Sequence, residues 1–258
     1  MNDQIKLHFL GTGTIFPDPN RSCSATILET PRDKILVDIG AGTLRRMAID
    51  GIDIHSINYI FLTHFHPDHV GDLVPLLFAL RNTRTESSEA VLRVWGPVGL
   101  FRFVQSMERA YGRWIQYSSD EVKFYELKRR LLDFPGFRVI WNKVVHNQES
   151  VGFRFEVSGK SIAFSGDSGY CQDLIRLCKD ADVAVVECAH ADELAVKGHL
   201  SPSLAAQIAE KAGVKKTIFN HFYPDVMKTD PSAILKKYYH GDVVIAEDGC
   251  EVEILLGN

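Results

Sequence analysis

Three histidines and one aspartate lie within six positions of the stretch THFHPDH: His64, His66, Asp68 and His69. The chain has only 10 histidines in 258 residues, so this grouping requires a physical reason. Imidazole nitrogens and carboxylate oxygens are ligands for zinc-like metal ions. Four such groups are more than one tetrahedral ion usually takes from one loop. The spacing therefore predicts metal chemistry, and the alternative is a surface loop with exposed histidines.

Three further donor residues each follow an apolar strand-like segment. His146 follows WNKVV, Asp167 follows SIAFSG, and His221 follows TIFN. One such residue alone would be explained as a polar group at a strand end. Three of them, together with the cluster at 64–69, indicate a set of metal ligands that the fold gathers.

Strands and helices alternate along the chain, and they must position these donors. The periodicity predicts strands at 5–13, 24–30, 34–40, 58–64, 91–97, 137–147, 151–159, 160–168, 181–190, 215–222, 242–248 and 250–256, and helices at 43–51, 71–82, 99–112, 173–181, 201–214 and 231–239. The histidine cluster then lies on a strand-to-helix loop, where Pro67 fixes the backbone. With no low-complexity linker, we expect a single α/β domain over residues 1–258. Residues 112–135 are the least regular part and are expected to form a wall of the substrate pocket.

Composition limits the classes of protein that need to be considered. Five cysteines are an odd number without a CxxC pair, which is typical of reduced thiols in the cytoplasm. A net charge of −4 gives no general attraction to nucleic acid or to acidic membranes. No run of about 20 apolar residues could span a bilayer. We therefore expect a cytoplasmic protein without a membrane partner.

The ordered motifs resemble those of the metallo-β-lactamase superfamily. HFHPDH is similar to its HxHxDH signature, and Asp38, His146, Asp167 and His221 match its other motifs in order. The resemblance implies an αββα sandwich with two divalent metal ions, usually zinc, although histidine and aspartate also accept manganese and iron. It implies the following ligands: His64, His66 and His146 for one ion, Asp68, His69 and His221 for the other, and Asp167 between them. Asp38 would orient ligands, or would be only a turn carboxylate.

Two metal ions of this kind support hydrolysis. A bound zinc ion lowers the pKa of water from about 15.7 to about 7, so hydroxide is available as the nucleophile at neutral pH. The positive charge also suits an anionic phosphodiester. Asp68 could orient or deprotonate the attacking water.

Further stretches resemble the ribonuclease Z and phosphodiesterase branch of the superfamily. They are GTGT near the start, the GP turn in WGPVGLF, and the order of Glu187, His199 and His221. The resemblance implies that His199 donates a proton to the leaving oxygen and that Glu187 supports it. Ser201 and Pro202 predict a helix start, which leaves His199 on the preceding loop. The alternatives are a loop histidine without a role and a glutamate that only ends a strand.

One departure from that branch bears on the substrate. Many bacterial ribonuclease Z enzymes carry a long arm for transfer RNA between the third-motif histidine and the bridging aspartate. Here two predicted strands and a turn fill the interval from His146 to Asp167, and Pro67 stands where those enzymes commonly have glycine. We therefore expect a phosphodiesterase acting on a small ester. Short basic runs such as KRR at 128–130 leave nucleic acid open as a substrate that is not favoured.

Other functions remain open on the sequence alone. The same metal site could hydrolyse a carboxyl ester, a lactone or a lactam, or could process the 3′ end of transfer RNA. A metal-binding or RNA-binding module without catalysis is the least favoured, since every expected ligand is present. A homodimer would be in keeping with the resemblance. His190 is not assigned to a metal, and only its position suggests that Tyr223 reaches the pocket.

Overall fold

The computed structural model describes residues 4–83, 91–118 and 121–256. The chain divides into two compact units. The first unit comprises Met1–Gly11, Ser22–Lys128 and Asp248–Leu255, and the second comprises Thr12–Arg21, Arg129–Glu247 and Leu256–Asn258. Each unit contains one β-sheet and its own helices. The expectation of a single domain stays a prediction.

The described residues form fourteen strands and seven α-helices. The strands are β1 Gln4–Gly11, β2 Ala25–Glu29, β3 Lys34–Val37, β4 Tyr59–Phe61, β5 Leu92–Gly96, β6 Val122–Glu126, β7 Leu131–Phe134, β8 Phe137–Lys143, β9 Val151–Val157, β10 Lys160–Phe164, β11 Val183–Glu187, β12 Lys216–Asn220, β13 Asp242–Ile245 and β14 Glu251–Leu255. The helices are α1 Thr43–Ile49, α2 Pro67–Val70, α3 Leu73–Thr83, α4 Leu100–Tyr111, α5 Gln172–Cys178, α6 Pro202–Ala212 and α7 Pro231–Tyr238.

The first unit contains a seven-stranded sheet in the order β14-β1-β2-β3-β4-β5-β6. Pairing is antiparallel from β14 to β3 and parallel from β3 to β6. β3 and β4 read as apolar runs because their residues are buried on both faces, as parallel strands usually are. The helices α3 and α4 supply Leu73, Leu76, Leu77, Leu100 and Val104 to the core of this unit.

The second unit contains another seven-stranded sheet, in the order β13-β12-β11-β10-β9-β8-β7. Pairing is antiparallel from β7 to β10 and parallel from β10 to β13. Every residue of β11 is buried, and α5 and α6 cover this part of the core with small and aliphatic side chains. Both sheets thus have one antiparallel half and one parallel half.

The described elements match the sequence predictions closely, with differences in two places. Asp68 and His69 lie on the short helix α2 and not in a loop, and Pro67 is the first residue of that helix. A helix of four residues is too short to produce a detectable period. The irregular stretch 112–135 contains a 3₁₀ turn at Gly112–Trp114 and the edge strands β6 and β7. Whether this stretch forms a pocket wall stays a prediction.

No helix in the described part of the chain has the length and apolar character that crossing a bilayer requires. All five cysteines are free thiols.

Candidate metal centre

The histidine cluster of the first unit lies immediately after β4, at the carboxyl end of a parallel strand. His64 and His66 lie between β4 and α2, whereas Asp68 and His69 lie on α2. The ring centroid of His64 is 4.7 Å from that of His66 and 4.1 Å from that of His69. His64, Asp68 and His69 are buried. Three imidazoles therefore converge, and those of His64 and His69 are buried away from water.

Asp38 fixes the orientation of this cluster through Thr63. One oxygen, Oδ1, accepts a hydrogen bond from the backbone N–H of Thr63 at 2.8 Å. The other, Oδ2, accepts from the Thr63 hydroxyl at 2.8 Å and from Nδ1 of His69 at 2.7 Å. Since the Thr63 hydroxyl donates to Asp38, its oxygen accepts from Nδ1 of His64 at 3.0 Å. Both histidines then carry their ring proton on Nδ1, which makes Nε2 the nitrogen suited to a metal.

The backbone after β3 holds α2 in its position. Ile39 donates its N–H to the carbonyl of His69 at 2.8 Å, and its own carbonyl accepts from Asp72 at 3.0 Å. A Cβ atom added to Gly40 would lie 2.1 Å from the carbonyl oxygen of Asp68. Only glycine fits so close to the Asp68 carbonyl. Gly40 therefore lets α2, which carries two predicted ligands, pack against the end of β3.

The second unit gathers its own donors from the segments that follow β8, β10 and β12. Nε2 of His221 lies 3.3 Å from Oδ2 of Asp167, and Nε2 of His146 lies 3.8 Å from the same oxygen. Nδ1 of His146 donates to the carbonyl of Gly198 at 3.0 Å, so its Nε2 is again the metal-suited nitrogen. Asp167, His199 and His221 each offer a ligand atom, and these atoms lie within 4.8 Å of one another. This donor set could hold a divalent ion.

Glu187 is the buried partner of His199. Nδ1 of His199 lies 3.2 Å from both carboxylate oxygens of Glu187, which is 1% exposed. The backbone N–H groups of Ser168 and Leu200 donate to the same carboxylate. Burial raises the pKa of the Glu187 carboxyl, while the hydrogen bond from His199 acts in the opposite direction. As predicted, α6 begins at Pro202 with Ser201 as its N-cap, so His199 lies on the loop before it.

The predicted site residues thus form one group in each unit. His64, His66, Asp68 and His69 meet in the first unit, and His146, Asp167, Glu187, His199 and His221 meet in the second. Whether the two groups bind the same pair of ions stays a prediction. The sequence did not predict that the Thr63 hydroxyl holds Nδ1 of His64 or that the Gly198 carbonyl holds Nδ1 of His146. Thr63 adjoins the cluster in sequence and could have been noticed, but the carbonyl of Gly198 gave no signal.

Several known proteins resemble this chain. A family model described as a beta-lactamase superfamily domain matches residues 33–222. A protein of Mycobacterium sp. (strain KMS) named ribonuclease Z is 31% identical over 244 residues, which cover 86% of this chain and 85% of that protein.

Two solved structures resemble it along nearly its whole length. The metallo-β-lactamase fold protein YhfI from Bacillus subtilis is 23% identical with a TM-score of 0.85, and the match covers 98% of this chain and 100% of that one. The short form of human tRNase Z is 25% identical with a TM-score of 0.75, covering 96% of this chain and 98% of that one. These likenesses confirm the predicted α/β fold class, the αββα sandwich.

Proposed function

Because this chain belongs to the beta-lactamase superfamily and is a hydrolytic enzyme related to proteins named ribonuclease Z, we propose that it is a binuclear metal-dependent phosphodiesterase. The observation that carries the proposal is a set of hydrogen bonds, which hold the predicted histidine ligands at the ring nitrogen that would not bind the metal. Asp38 and Thr63 hold Nδ1 of His69 and His64, and the Gly198 carbonyl holds Nδ1 of His146. Such partners are typical of histidines that bind metal through the other nitrogen.

We propose two divalent ions, with zinc favoured and manganese or iron also suited to the donors. Their ligands would be His64, His66, Asp68, His69, His146, Asp167 and His221. When bound, such ions supply a nucleophile at neutral pH and offset the negative charge of a phosphodiester. The donors present fit this role, since they are imidazoles and carboxylates and most of them are buried.

The remaining residues of the site would hold and transfer protons and would orient the attacking water. His199 would donate a proton from Nε2 to the leaving oxygen, because its Nδ1 is held by Glu187. The buried carboxylate stabilises the positive charge on the ring before donation and keeps the ring in one orientation. Asp68 would orient the attacking water.

The proposed substrate is a compact phosphodiester. β9 and β10, joined by the turn at Ser158–Gly159, fill the interval between His146 and Asp167. This supports the expectation that the chain lacks a long arm there. Processing of transfer RNA therefore ranks below cleavage of a small diester, although relatives carry that name. Hydrolysis of a carboxyl ester or lactone on the same site ranks between them. A cytoplasmic location and a homodimer remain proposals of the sequence alone.

Turnover of bis(p-nitrophenyl) phosphate tests the proposed activity. Activity should disappear on chelation and return when zinc is added. Asp68→Ala should abolish it, whereas the control His240→Ala should not, since His240 is 78% exposed and pairs only with Glu210 among the residues that the structure describes. No turnover of any phosphodiester by protein loaded with zinc, manganese or iron would contradict the proposal.

His199→Ala distinguishes a proton donor from a further ligand. Loss of the donor should slow diesters with poor leaving groups by roughly 10²–10⁴-fold and should affect aryl diesters much less, because a good leaving group needs no proton. The zinc content should stay unchanged. A variant that loses zinc would make His199 a ligand, and a variant that keeps full rate on its best carboxyl ester would favour the carboxyl ester hydrolase.

A further inference from the structure

A second histidine with a carboxylate partner lies beside His199 in the same unit. It is His190, three residues beyond the end of β11, and its neighbours follow the end of β12. β11 and β12 are adjacent parallel strands. Their continuations stay together, since Cys188 donates its N–H to the carbonyl of Asn220 at 2.9 Å and Tyr223 donates to the carbonyl of Ala189 at 3.0 Å. The backbone thus fixes the position of both loops.

The ring of His190 is held on one face and at one nitrogen. It stacks on Tyr223 with ring centroids 4.2 Å apart and an interplanar angle of 19°. Nδ1 lies 3.4 Å from Oδ1 of Asp225, whose Oδ2 accepts the N–H of Ala191 at 2.8 Å. The ring, which is 19% exposed, thus contacts Tyr223 on one face and Asp225 at Nδ1.

The carboxylate determines which nitrogen His190 offers to a ligand. Asp225 favours the tautomer with the proton on Nδ1, so Nε2 becomes a hydrogen-bond acceptor in the neutral ring. Burial lowers the pKa of His190, although Asp225 opposes this, and the lower pKa favours the neutral ring. An acceptor of this kind matches a hydroxyl group rather than a phosphate oxygen.

His190 and His199 are close enough to meet neighbouring atoms of one alcohol. Their ring centroids are 6.0 Å apart and the rings are nearly perpendicular. A hydrogen-bonded oxygen lies about 3 Å from its nitrogen, so adjacent oxygens of a diol fall within reach of both rings. His199, in its proposed role, meets the leaving oxygen.

We propose that His190 is a specificity-determining residue that accepts a hydrogen bond from a hydroxyl group adjacent to the leaving oxygen of the substrate. This rests on the proposed phosphodiesterase activity and narrows its substrate class to diesters of a vicinal diol, such as ribose. Asp225 positions His190 by holding Nδ1, and Tyr223 positions it by stacking.

The test compares two dinucleoside phosphates whose leaving 3′-oxygen belongs either to uridine or to 2′-deoxyuridine. The variant His190→Phe keeps a ring for Tyr223 to stack on but removes both nitrogens. Its kcat/KM on the ribose substrate should fall by about two- to tenfold, the value of one neutral hydrogen bond. Its kcat/KM on the deoxyribose substrate and on bis(p-nitrophenyl) phosphate should not change.

Two further variants serve as controls. Asp225→Asn still accepts the N–H of Ala191 but no longer draws the proton to Nδ1, so it should show a smaller loss confined to the ribose substrate. His240→Phe removes another histidine that pairs with a carboxylate, and it should change neither rate. An equal loss on both dinucleotides, or an unchanged ratio of the two rates in His190→Phe, would overturn the assignment.

Binding separates this inference from the proposed function. If none of the diesters is turned over, the proposed activity fails. The dissociation constants of both dinucleotides for the zinc-loaded His199→Ala protein, with and without His190→Phe, then decide the role of His190. A ribose preference that disappears with His190→Phe supports it, and the absence of such a preference overturns it.

Discussion

Asp38 and His221 both have a backbone φ of +59°, a conformation that residues other than glycine rarely adopt. Each follows a parallel strand, β3 in one unit and β12 in the other. Strain of this kind is usually retained where the structure needs a side chain in one specific place. Here it turns the Asp38 carboxylate towards Thr63 and His69. The strained backbone therefore serves the orientation of the predicted donors.

Replacing Asp38 with asparagine should weaken metal binding without unfolding the protein. Asparagine tolerates the left-handed backbone, but its amide replaces one of the two acceptor oxygens with an NH₂ donor, so it cannot accept all three hydrogen bonds that Thr63 and His69 give to the carboxylate. We expect a 10- to 100-fold loss of zinc affinity, about the usual effect of removing such a partner. Competition with a fluorescent zinc chelator measures this.

Asp180→Asn is the matched control for Asp38→Asn. Asp180 also has a positive φ, of 52°, but it lies between α5 and β11 and is not among the predicted ligands. The zinc affinity of the Asp180→Asn variant should equal that of the unchanged protein. If both variants bind zinc equally well, Asp38 is only a turn residue.

The residue types of the site were predictable, whereas their tautomers were not. Histidines and aspartates at strand ends predict a metal site through their residue types and their order in the sequence alone. Which nitrogen is left for the metal depends on contacts such as the one from His146 to Gly198, which are 52 residues apart in sequence. Asp225 was missed for the same reason, since only the pairing of β11 with β12 brings it beside His190.

At the scale of elements, the contact between the end of β3 and α2 depends on Gly40. An alanine there would place its Cβ 2.1 Å from the carbonyl oxygen of Asp68 and 2.6 Å from Cβ of Cys23. The backbone of Asp68 cannot move away without a cost in free energy. Gly40→Ala should therefore lower the free energy of unfolding by about 1–3 kcal/mol. It should also lower the zinc content, because α2 carries two of the predicted ligands. Urea unfolding and metal analysis measure the two effects.

Gly169→Ala provides the comparison for this steric effect. Its nearest atoms would lie 3.4 Å from the new Cβ, an ordinary contact distance. We expect a much smaller change in the free energy of unfolding and an unchanged zinc content. Equal effects of the two substitutions would mean that the close approach at Gly40 does not hold α2.

Most elements could be predicted because their periodicity is strong and their ends are marked. β11 is a run of buried residues, and the helix at Pro202–Ala212 has serine and proline at its start. The exceptions have physical causes. α2 has a single turn, too short for a period of 3.6 residues. β6 and β7 are edge strands, and their partly exposed residues weaken the apolar pattern that marks a buried strand.

The two sheets of the molecule follow one plan. In each, strands of the parallel half carry donors at their carboxyl ends, and His146, which follows the antiparallel strand β8, is the exception. Asp38 follows β3, His64 follows β4, Asp167 follows β10, and His221 follows β12. Ligands commonly bind beyond the carboxyl ends of parallel strands, where side chains of neighbouring loops converge. The apolar strands thus determine where the polar residues between them meet.

Metal removal should destabilise the whole protein, because ions that bind only the folded chain add their binding free energy to its stability. At a free zinc concentration of 100 times Kd this amounts to about 2.7 kcal/mol per site. For a chain of this size and two proposed ions we expect chelation to lower Tm by roughly 10–20 °C, a loss that zinc should reverse. Circular dichroism during heating measures the shift. Asp167→Ala should show a much smaller response to chelation, whereas His240→Ala should respond fully. A Tm that chelation leaves unchanged would mean that the buried histidines and aspartates serve the fold without a metal.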